Sequence, residues 1–466
     1  MVTATPEYSS RTRKARIEEL QAAHTSGKPA QFDAVIVGGG IVGAGLAREL
    51  TLRGKSVMLA EQNDFASGTS SKSSKLIHGG LRYLEMMDFG LVFESLSERH
   101  WLLKSQPHLV KPLAFNLPLY DKKNAPPGMR PSWMLSLGLW LYDGLSLFRS
   151  PFFHGRHTPE QSQKIFPGLK SEGLKNTLYY ADAMMLDDEM VLECISDSIK
   201  RGTTALNYLK VQNVSTRGSN GLYSIQVSDN RSKNSGDIFN VTAREVIVCV
   251  GPWTEKFGKF VPEGAGRKLK PSRGTHIIVD YQKLPIKECL VMYSGDGRIV
   301  FAIPRLDLGA GAEKVIIGTT DAHEDRDPAN VHATKEDVTY ILKVLAGYFP
   351  KLNITAADIL TSYAGVRPLI DEGSHQVEAK TSREHEIWRN PAGIVFMAGG
   401  KYTTFRRISQ EIADFAFPNS MAKESDKNPL SDPQEYAARF TGEKLWGRYT
   451  EGFLRWKIRH QSPCTL

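Results

Sequence analysis

A chain of 466 residues can build two or three hydrophobic cores, and 41% apolar with 24% charged residues is the composition of an ordinary soluble globular protein. The formal net charge of +8 suits an acidic substrate or an anionic membrane surface without choosing between them, and does not by itself exclude nucleic acid. Cys194, Cys249, Cys289 and Cys464 form no C-x-x-C pair. This argues against iron–sulfur, zinc or disulfide frameworks, so no metal site is expected and a reducing compartment is favoured.

The first 30 residues lack an apolar signal core, and Glu7, Glu18 and Glu19 among the basic residues argue against a transit peptide. A poorly ordered or helical extension is expected there. Asp33–Glu61 then reads as strand, glycine turn, helix and strand. Ala34–Val37 is an apolar run, and Gly38, Gly40 and Gly43 stand in G-x-G-x-x-G register. Ala44–Leu52 has helical spacing ended by Gly54, and Val57–Ala60 leads to Glu61. Glycines allow a tight turn and close backbone approach, the helix N-terminus receives a pyrophosphate, and Glu61 accepts hydrogen bonds from a ribose. The expected ligand is a dinucleotide.

The polar run Asp64–Glu85 lies where a nucleotide fold presents its ligand crevice, with Thr69, Ser73 and Ser74 as hydroxyls for a cofactor. Val92–Leu103 reads as an amphipathic helix, and Ala125–Pro131 and Ser150–Pro159 as breaks. Trp133–Tyr142, the richest apolar stretch, is far shorter than a bilayer span, so no transmembrane helix is expected. Further on, Met190–Arg201 reads as a helix and Ala205–Val211, Leu222–Val227 and Glu245–Val250 as strands. Residues 268–320 are β-rich, Lys335–Phe349 is helical, and strand Ile394–Met397 runs through Gly399-Gly400 into a helix from about Thr403.

A second strand–GG–helix unit is what an extended FAD needs at its far end, whereas NAD needs one crossover. The expected fold is α/β. A Rossmann-like FAD-binding domain is assembled from the separated segments 31–105, 189–262 and 360–415. A cap segment at 106–188 and an inserted β-rich substrate domain at 263–359 accompany it, with the extension 1–30 and a short helical C-terminal tail at 416–466.

Gly68–Glu85 (GTSSKSSKLIHGGLRYLE), Gly251–Trp253, Gly274–Val279 (GTHIIV), Ile299–Arg305, Ile316–Asp321, Ala364–Leu369 (AGVRPL) and Gly399–Arg406 (GGKYTTFR) follow one another in an order that resembles a known family. It is the FAD-dependent glycerol-3-phosphate dehydrogenases, within the glycine-oxidase and D-amino-acid-oxidase-like flavoproteins. The resemblance covers roughly residues 32–412. It implies oxidation of sn-glycerol 3-phosphate to dihydroxyacetone phosphate, with a hydride passing to FAD and electrons to a membrane quinone. It also implies a longer helical C-terminal domain than the roughly 50 residues that follow Phe415 here.

A dianionic phosphate calls for guanidinium forks, and Arg82, Arg367, Arg383 and Arg406 are the candidates. Arg383 stands where the match is weak, with a structural role as its alternative. The C2 hydroxyl needs a base near neutrality, for which the resemblance places His78 beside the flavin and His276 facing the substrate, and the choice between them stays open. Lys401, opening the last helix, would stabilise charge on the reduced flavin. Tyr83 and Thr319 are expected to line the pocket, and Val211, Gly251, Gly399, Gly400 and Thr403 to join the cofactor set.

The tail Lys444–His460 spaces Trp446, Tyr449, Phe453 and Trp456 at near-helical intervals among five cations, as in an interfacial helix or one packed on the main body. The expected location is cytoplasmic, or peripheral on the inner face of the cell membrane. No basic run interleaved with aromatics lies outside this tail, so no nucleic-acid partner is expected. A glycerol-3-phosphate oxidase using oxygen, an amino-acid or sarcosine-type flavin oxidase and a non-catalytic FAD-bearing module are the alternatives. Oligomeric state stays open.

Overall fold

The computed structural model describes residues 10–85, 87–231, 238–308, 311–371 and 385–420, with 425, 428 and 430. Its contacts divide them into two compact units, the first holding residues up to 71, 186–271 and those from 367 on, the second 72–185 and 272–366. The first unit opens with α1 (Ser10–Thr25), β1 (Gln31–Val37), α2 (Ile41–Leu52) and β2 (Val57–Ala60). In the second follow β3 (Leu76–Ile77), α3 (Arg82–Glu85), α4 (Phe89–Ser105), β4 (Val110–Tyr120), α5 (Ser132–Leu145), β5 (Gly155–His157), α6 (Pro159–Ile165) and β6 (Leu174–Met185). The first resumes with α7 (Asp187–Lys200), β7 (Thr204–Leu206), β8 (Leu209–Val214), β9 (Tyr223–Asp229), β10 (Ile238–Val248) and α8 (Thr254–Phe257). The second adds β11 (Ser272–Asp280), β12 (Cys289–Tyr293), β13 (Ile299–Arg305), β14 (Lys314–Gly318), β15 (Ala322–His323), α9 (Lys335–Tyr348) and β16 (Ile359–Arg367). The first closes with β17 (His385–Arg389), β18 (Val395–Gly399) and α10 (Phe405–Ala416).

The first unit's sheet runs β17-β18-β10-β1-β2-β7, with β8 and β9 added beyond β10 as an antiparallel extension. Its centre is parallel: β1 pairs with β10 and β2, β10 with β18, and β2 with β7. Parallel strands are covered on both faces, which is why Ala34–Val37 and Val57–Ala60 are continuous apolar runs without alternation. The extension is helical over α1, which sends Ile17 and Leu20 into this core and bonds Arg13 to Asp229 at 2.6 Å. The strand expected at Ala205–Val211 is broken at Tyr208, whose φ of 53° diverts the chain from the parallel ladder of β7 into the antiparallel β8.

The second unit carries a ten-stranded sheet in the order β15-β11-β14-β13-β12-β4-β6-β3, with β16 on β11 and β5 on β6. The division between units falls at 71/72, 185/186, 271/272 and 366/367, against expected boundaries at 105/106, 188/189, 262/263 and 359/360. The largest difference has a packing cause. β3 pairs with β6, and Val92 and Leu96 of α4 join the second unit's core.

Arg53, at the end of α2, is fully enclosed and pairs with Glu49 at 2.8 Å and with Asp414 of α10 at 2.6 Å. Its guanidinium also donates to the Ser420 carbonyl at 2.7 Å. Arg53→Met leaves the buried Glu49 carboxylate without its ion-pair partner, at an expected cost of about 3–5 kcal/mol. Arg53→Met/Glu49→Leu should recover most of that loss, as denaturant unfolding of the two variants will show.

Candidate functional site

At the end of β1, Gly38 has φ of +109°, and a Cβ there would lie 2.5 Å from the Cys249 carbonyl oxygen. Gly43 is tighter still: its Cβ would sit 1.9 Å from the Gly38 carbonyl oxygen, so the first turn of α2 rests directly on the strand end. Gly40 is the N-cap residue of α2. The Ile41 N–H donates to Ser70 Oγ at 2.9 Å. Ser70, which sequence reasoning passed over in favour of neighbouring Thr69, is thus the hydroxyl that reaches the helix terminus. Thr69 opens the 3-10 turn Thr69–Ser71.

Glu61 follows β2 and accepts hydrogen bonds from the Gly39 and Asn63 N–H groups at 2.7 and 2.8 Å. Burial raises its carboxyl pKa, against the opposing pull of these donors. Two backbone donors fix the carboxylate's orientation and leave acceptor positions for ribose hydroxyls. A helix N-terminus suits a pyrophosphate. The residues present therefore fit a dinucleotide. Gly251 begins a 3-10 turn after β10, whose Trp253 lies against Gly68. Val211, in β8, sends its side chain into the first unit's core.

The second glycine turn belongs to the same unit. β10 lies between β1 and β18 in one parallel ladder, so Gly38 and Gly399-Gly400 stand at the carboxyl ends of strands two places apart. Gly400 has φ of +80°, and a Cβ there would meet Ile408 of α10 at 2.7 Å. Half-buried Lys401 follows, then the turn Tyr402–Thr404, then α10, with Thr403 and Arg406 buried. Arg367 is the last residue of β16 and is half-buried.

In the second unit, half-buried His78 leaves β3 and precedes Gly79-Gly80. The Gly79 N–H donates to Tyr142 Oη at 2.9 Å and to Asp182 Oδ1 at 3.2 Å. Tyr142 donates to Asp182, and Arg99 pairs with the same carboxylate at 2.6 Å. All three side chains are buried. Burial pushes the Asp182 carboxyl up while Arg99 pulls it down. No sequence pattern links residues 79, 99, 142 and 182, and only the fold brings them together.

His276, on β11, is 2% exposed. Its Nε2 is hydrogen-bonded to Ser74 Oγ at 2.8 Å, and its ring stacks on Tyr363 at 4.8 Å. Tyr363 Oη in turn donates to the Ser73 carbonyl at 2.9 Å. Ser73, Ser74, His276 and Tyr363 thus form one cluster, of which Tyr363 was unforeseen because it stands one residue outside the AGVRPL run. Thr319 follows β14 and donates to the Thr320 carbonyl at 3.0 Å. Arg82 opens α3, whereas Tyr83 turns into the second unit's core. Half-buried Lys72 also went unremarked in the sequence, and burial holds its ammonium pKa below the ordinary lysine value. Cys194 and Cys249 are buried thiols pushed up to about 12, which suits packing rather than redox chemistry. Arg383 and the tail Lys444–His460 lie outside the described residues.

Two glycine turns on one parallel sheet and a β-rich second unit define a flavin-nucleotide oxidoreductase architecture. Residues 33–406 match the FAD dependent oxidoreductase family (DAO), and the chain belongs to that family, with FAD as its cofactor. It is 33% identical over 386 residues to the aerobic glycerol-3-phosphate dehydrogenase of Staphylococcus aureus strain USA300, covering 82% of this chain and 66% of that relative's length. The glycerol-3-phosphate dehydrogenase of Bacillus halodurans, solved complexed with FAD, superposes with a TM-score of 0.67 at 29% identity, covering 88% of this chain and 68% of that one. The L-alpha-glycerophosphate oxidase of Mycoplasma pneumoniae, solved with FAD bound, shares the fold at a TM-score of 0.60 and 17% identity, covering 83% and 94% of the two chains.

Gly43→Val tests the cradle. With backbone on the far side of the missing Cβ, overpacking of about 1–3 kcal/mol should weaken FAD retention about ten- to a hundredfold. The ratio of flavin to protein absorbance after gel filtration measures it.

Proposed function

We propose that this chain oxidises sn-glycerol 3-phosphate to dihydroxyacetone phosphate and passes the electrons to a membrane quinone, working at the inner face of the cell membrane. The observation that carries the substrate is the 33% identity to an aerobic glycerol-3-phosphate dehydrogenase across 82% of the chain. FAD, when bound, takes the C2 hydride. Gly38, Gly40, Gly43 and Glu61 hold one end of it and Gly399, Gly400 and Thr403 the other, with Thr69, Ser73, Ser74, Val211 and Gly251 along its length.

Arg82 and Arg367 are assigned to the phosphate, whose dianion two guanidinium forks neutralise while fixing its orientation. Arg383 is a third cation for the same group, and Thr319 completes the pocket, with Tyr83 backing it from the core. The C2 hydroxyl proton goes to His78 or His276. His78 rides on a turn braced by Tyr142 and Asp182, while His276 is held by Ser74 and Tyr363. Lys401, at the entry to α10, offsets the negative charge gained by the reduced cofactor.

Glycerol 3-phosphate added without oxygen should bleach the yellow protein, and glycine or sarcosine should not. Bleaching by the amino acids alone would overturn the substrate assignment in favour of an amine oxidase. Turnover in air separates the acceptors: a quinone-linked enzyme reduces a quinone analogue with little peroxide, whereas stoichiometric peroxide marks an oxidase.

The two histidines separate by their pH profiles. A base works deprotonated, so kcat/KM rises with pH through the histidine range. His→Asn at the base should lower kcat/KM about 10²–10⁴-fold and erase that rising limb, while the same change at the other position leaves the limb in place.

A further inference from the structure

Helix α1 docks by one narrow stripe in which an arginine stands beside two aliphatic residues. Arg13, Ile17 and Leu20, at i, i+4 and i+7, are buried, and Ile17 and Leu20 join the first unit's core. The residues between them are exposed. Two apolar side chains are a slight footing for a helix as polar as SRTRKARIEELQAAHT. A buried cation needs a reason, because leaving water is costly unless charge and hydrogen bonds are both matched.

Both are matched at Arg13. Its two Nη atoms pair with the Asp229 carboxylate at 2.6 and 3.2 Å. Its Nε donates to the carbonyl of buried Asn207 at 2.9 Å and to Asn207 Oδ1 at 3.2 Å. The second of these bonds fixes which way the Asn207 amide faces. With Oδ1 turned to the guanidinium, Nδ2 donates to Asp64 Oδ1 at 2.8 Å. A reversed amide would set its N–H groups against the guanidinium and its oxygen against the carboxylate, two repulsions in place of two bonds.

The stretch from Glu61 to Asp64 is also laced to the link between β7 and β8 through its backbone. The Glu61 N–H donates to the Leu206 carbonyl at 2.9 Å, and the Leu209 N–H to the Glu61 carbonyl at 2.7 Å. The Tyr208 N–H donates to the Asn63 carbonyl at 2.8 Å. Asn63 in turn supplies one of the two N–H groups that orient the Glu61 carboxylate. Burial raises the Glu61 carboxyl pKa, and the charge of nearby Asp64 adds to it. Where Asp64 is held therefore bears on Glu61 directly.

We infer that α1 is a clip for the ribose end of FAD, with Arg13 as a positioning residue that acts through Asn207 and Asp64 on Glu61. The inference rests on the assignment of Glu61 to that end of the cofactor, proposed above, and adds the element that holds this acid in place.

The test follows FAD release from the full-length holoenzyme after dilution, read as the rise in flavin fluorescence. Arg13→Met should speed release about tenfold. Asn207→Leu breaks the relay while sparing the Arg13–Asp229 pair, and should speed release as much with a smaller loss of thermal stability. Glu61→Ala, reloaded with FAD, should release it faster by itself, and adding either other change should cost less than about twofold more. Effects that multiply in the double variants would overturn the clip and leave Glu61 at the ribose, because Arg13 would then act through stability alone. An Asn207→Leu protein that keeps FAD as the parent does would overturn it as well. A Glu61→Ala protein with unchanged release would remove the ribose assignment, and the clip with it.

Discussion

The architecture of the first unit depends on one parallel ladder, β18-β10-β1-β2-β7. Its strands come from chain segments separated by the whole second unit, yet it sets Gly38 and Gly399 at the same edge of one sheet. With strands spaced about 4.8 Å apart, the two turns stand on the order of 10 Å from each other across the sheet. A helix N-terminus follows each. Parallel order makes this possible, because every parallel strand ends on the same side and passes its chain to a helix there. The close contacts at Gly43 and Gly400 then let the Gly38 carbonyl and the Ile408 side chain occupy space that a Cβ would fill.

The second unit solves a different problem, that of fixing a glycine-rich turn that has no side chains of its own to anchor it. Gly79-Gly80 is gripped through a backbone N–H, by a tyrosine and a carboxylate that are themselves held by a buried arginine. Desolvating such an ion pair offsets much of its Coulombic gain, so the network adds little net stability over an apolar core. Its effect is geometric. A polar group with fixed partners has one favourable position, whereas an apolar turn has several, and His78 inherits that restriction from the residue that follows it.

How much was legible in the sequence varies with how local each signal is. The β1-α2-β2 unit was legible because strand, turn, helix and acid are contiguous and each residue type has a local reason. β18 and α10 were legible for the same cause, as a second strand–glycine–helix run. β4 and β6 were not. β4 contains Pro112, Pro118 and Asn116, which argue against a long interior strand. It has a partner along its full length only in β6, and β12 flanks it only at Phe115 and Asn116, so one side is largely an edge where proline interrupts no ladder. The His276–Ser74–Tyr363 cluster and the Arg99–Asp182 pair escaped for a plainer reason: their partners are 83 to 290 residues apart along the chain. Only the tertiary fold brings them together.

The apolar stretch Trp133–Tyr142 shows how a composition signal changes meaning once its geometry is known. In sequence it was merely too short to span a bilayer; in the fold, Leu135, Leu139 and Tyr142 are buried while Trp133, Leu137 and Trp140 are exposed. A helix with apolar residues on both faces buries one of them and leaves the other in water, so hydrophobic content alone does not decide which residues form the core.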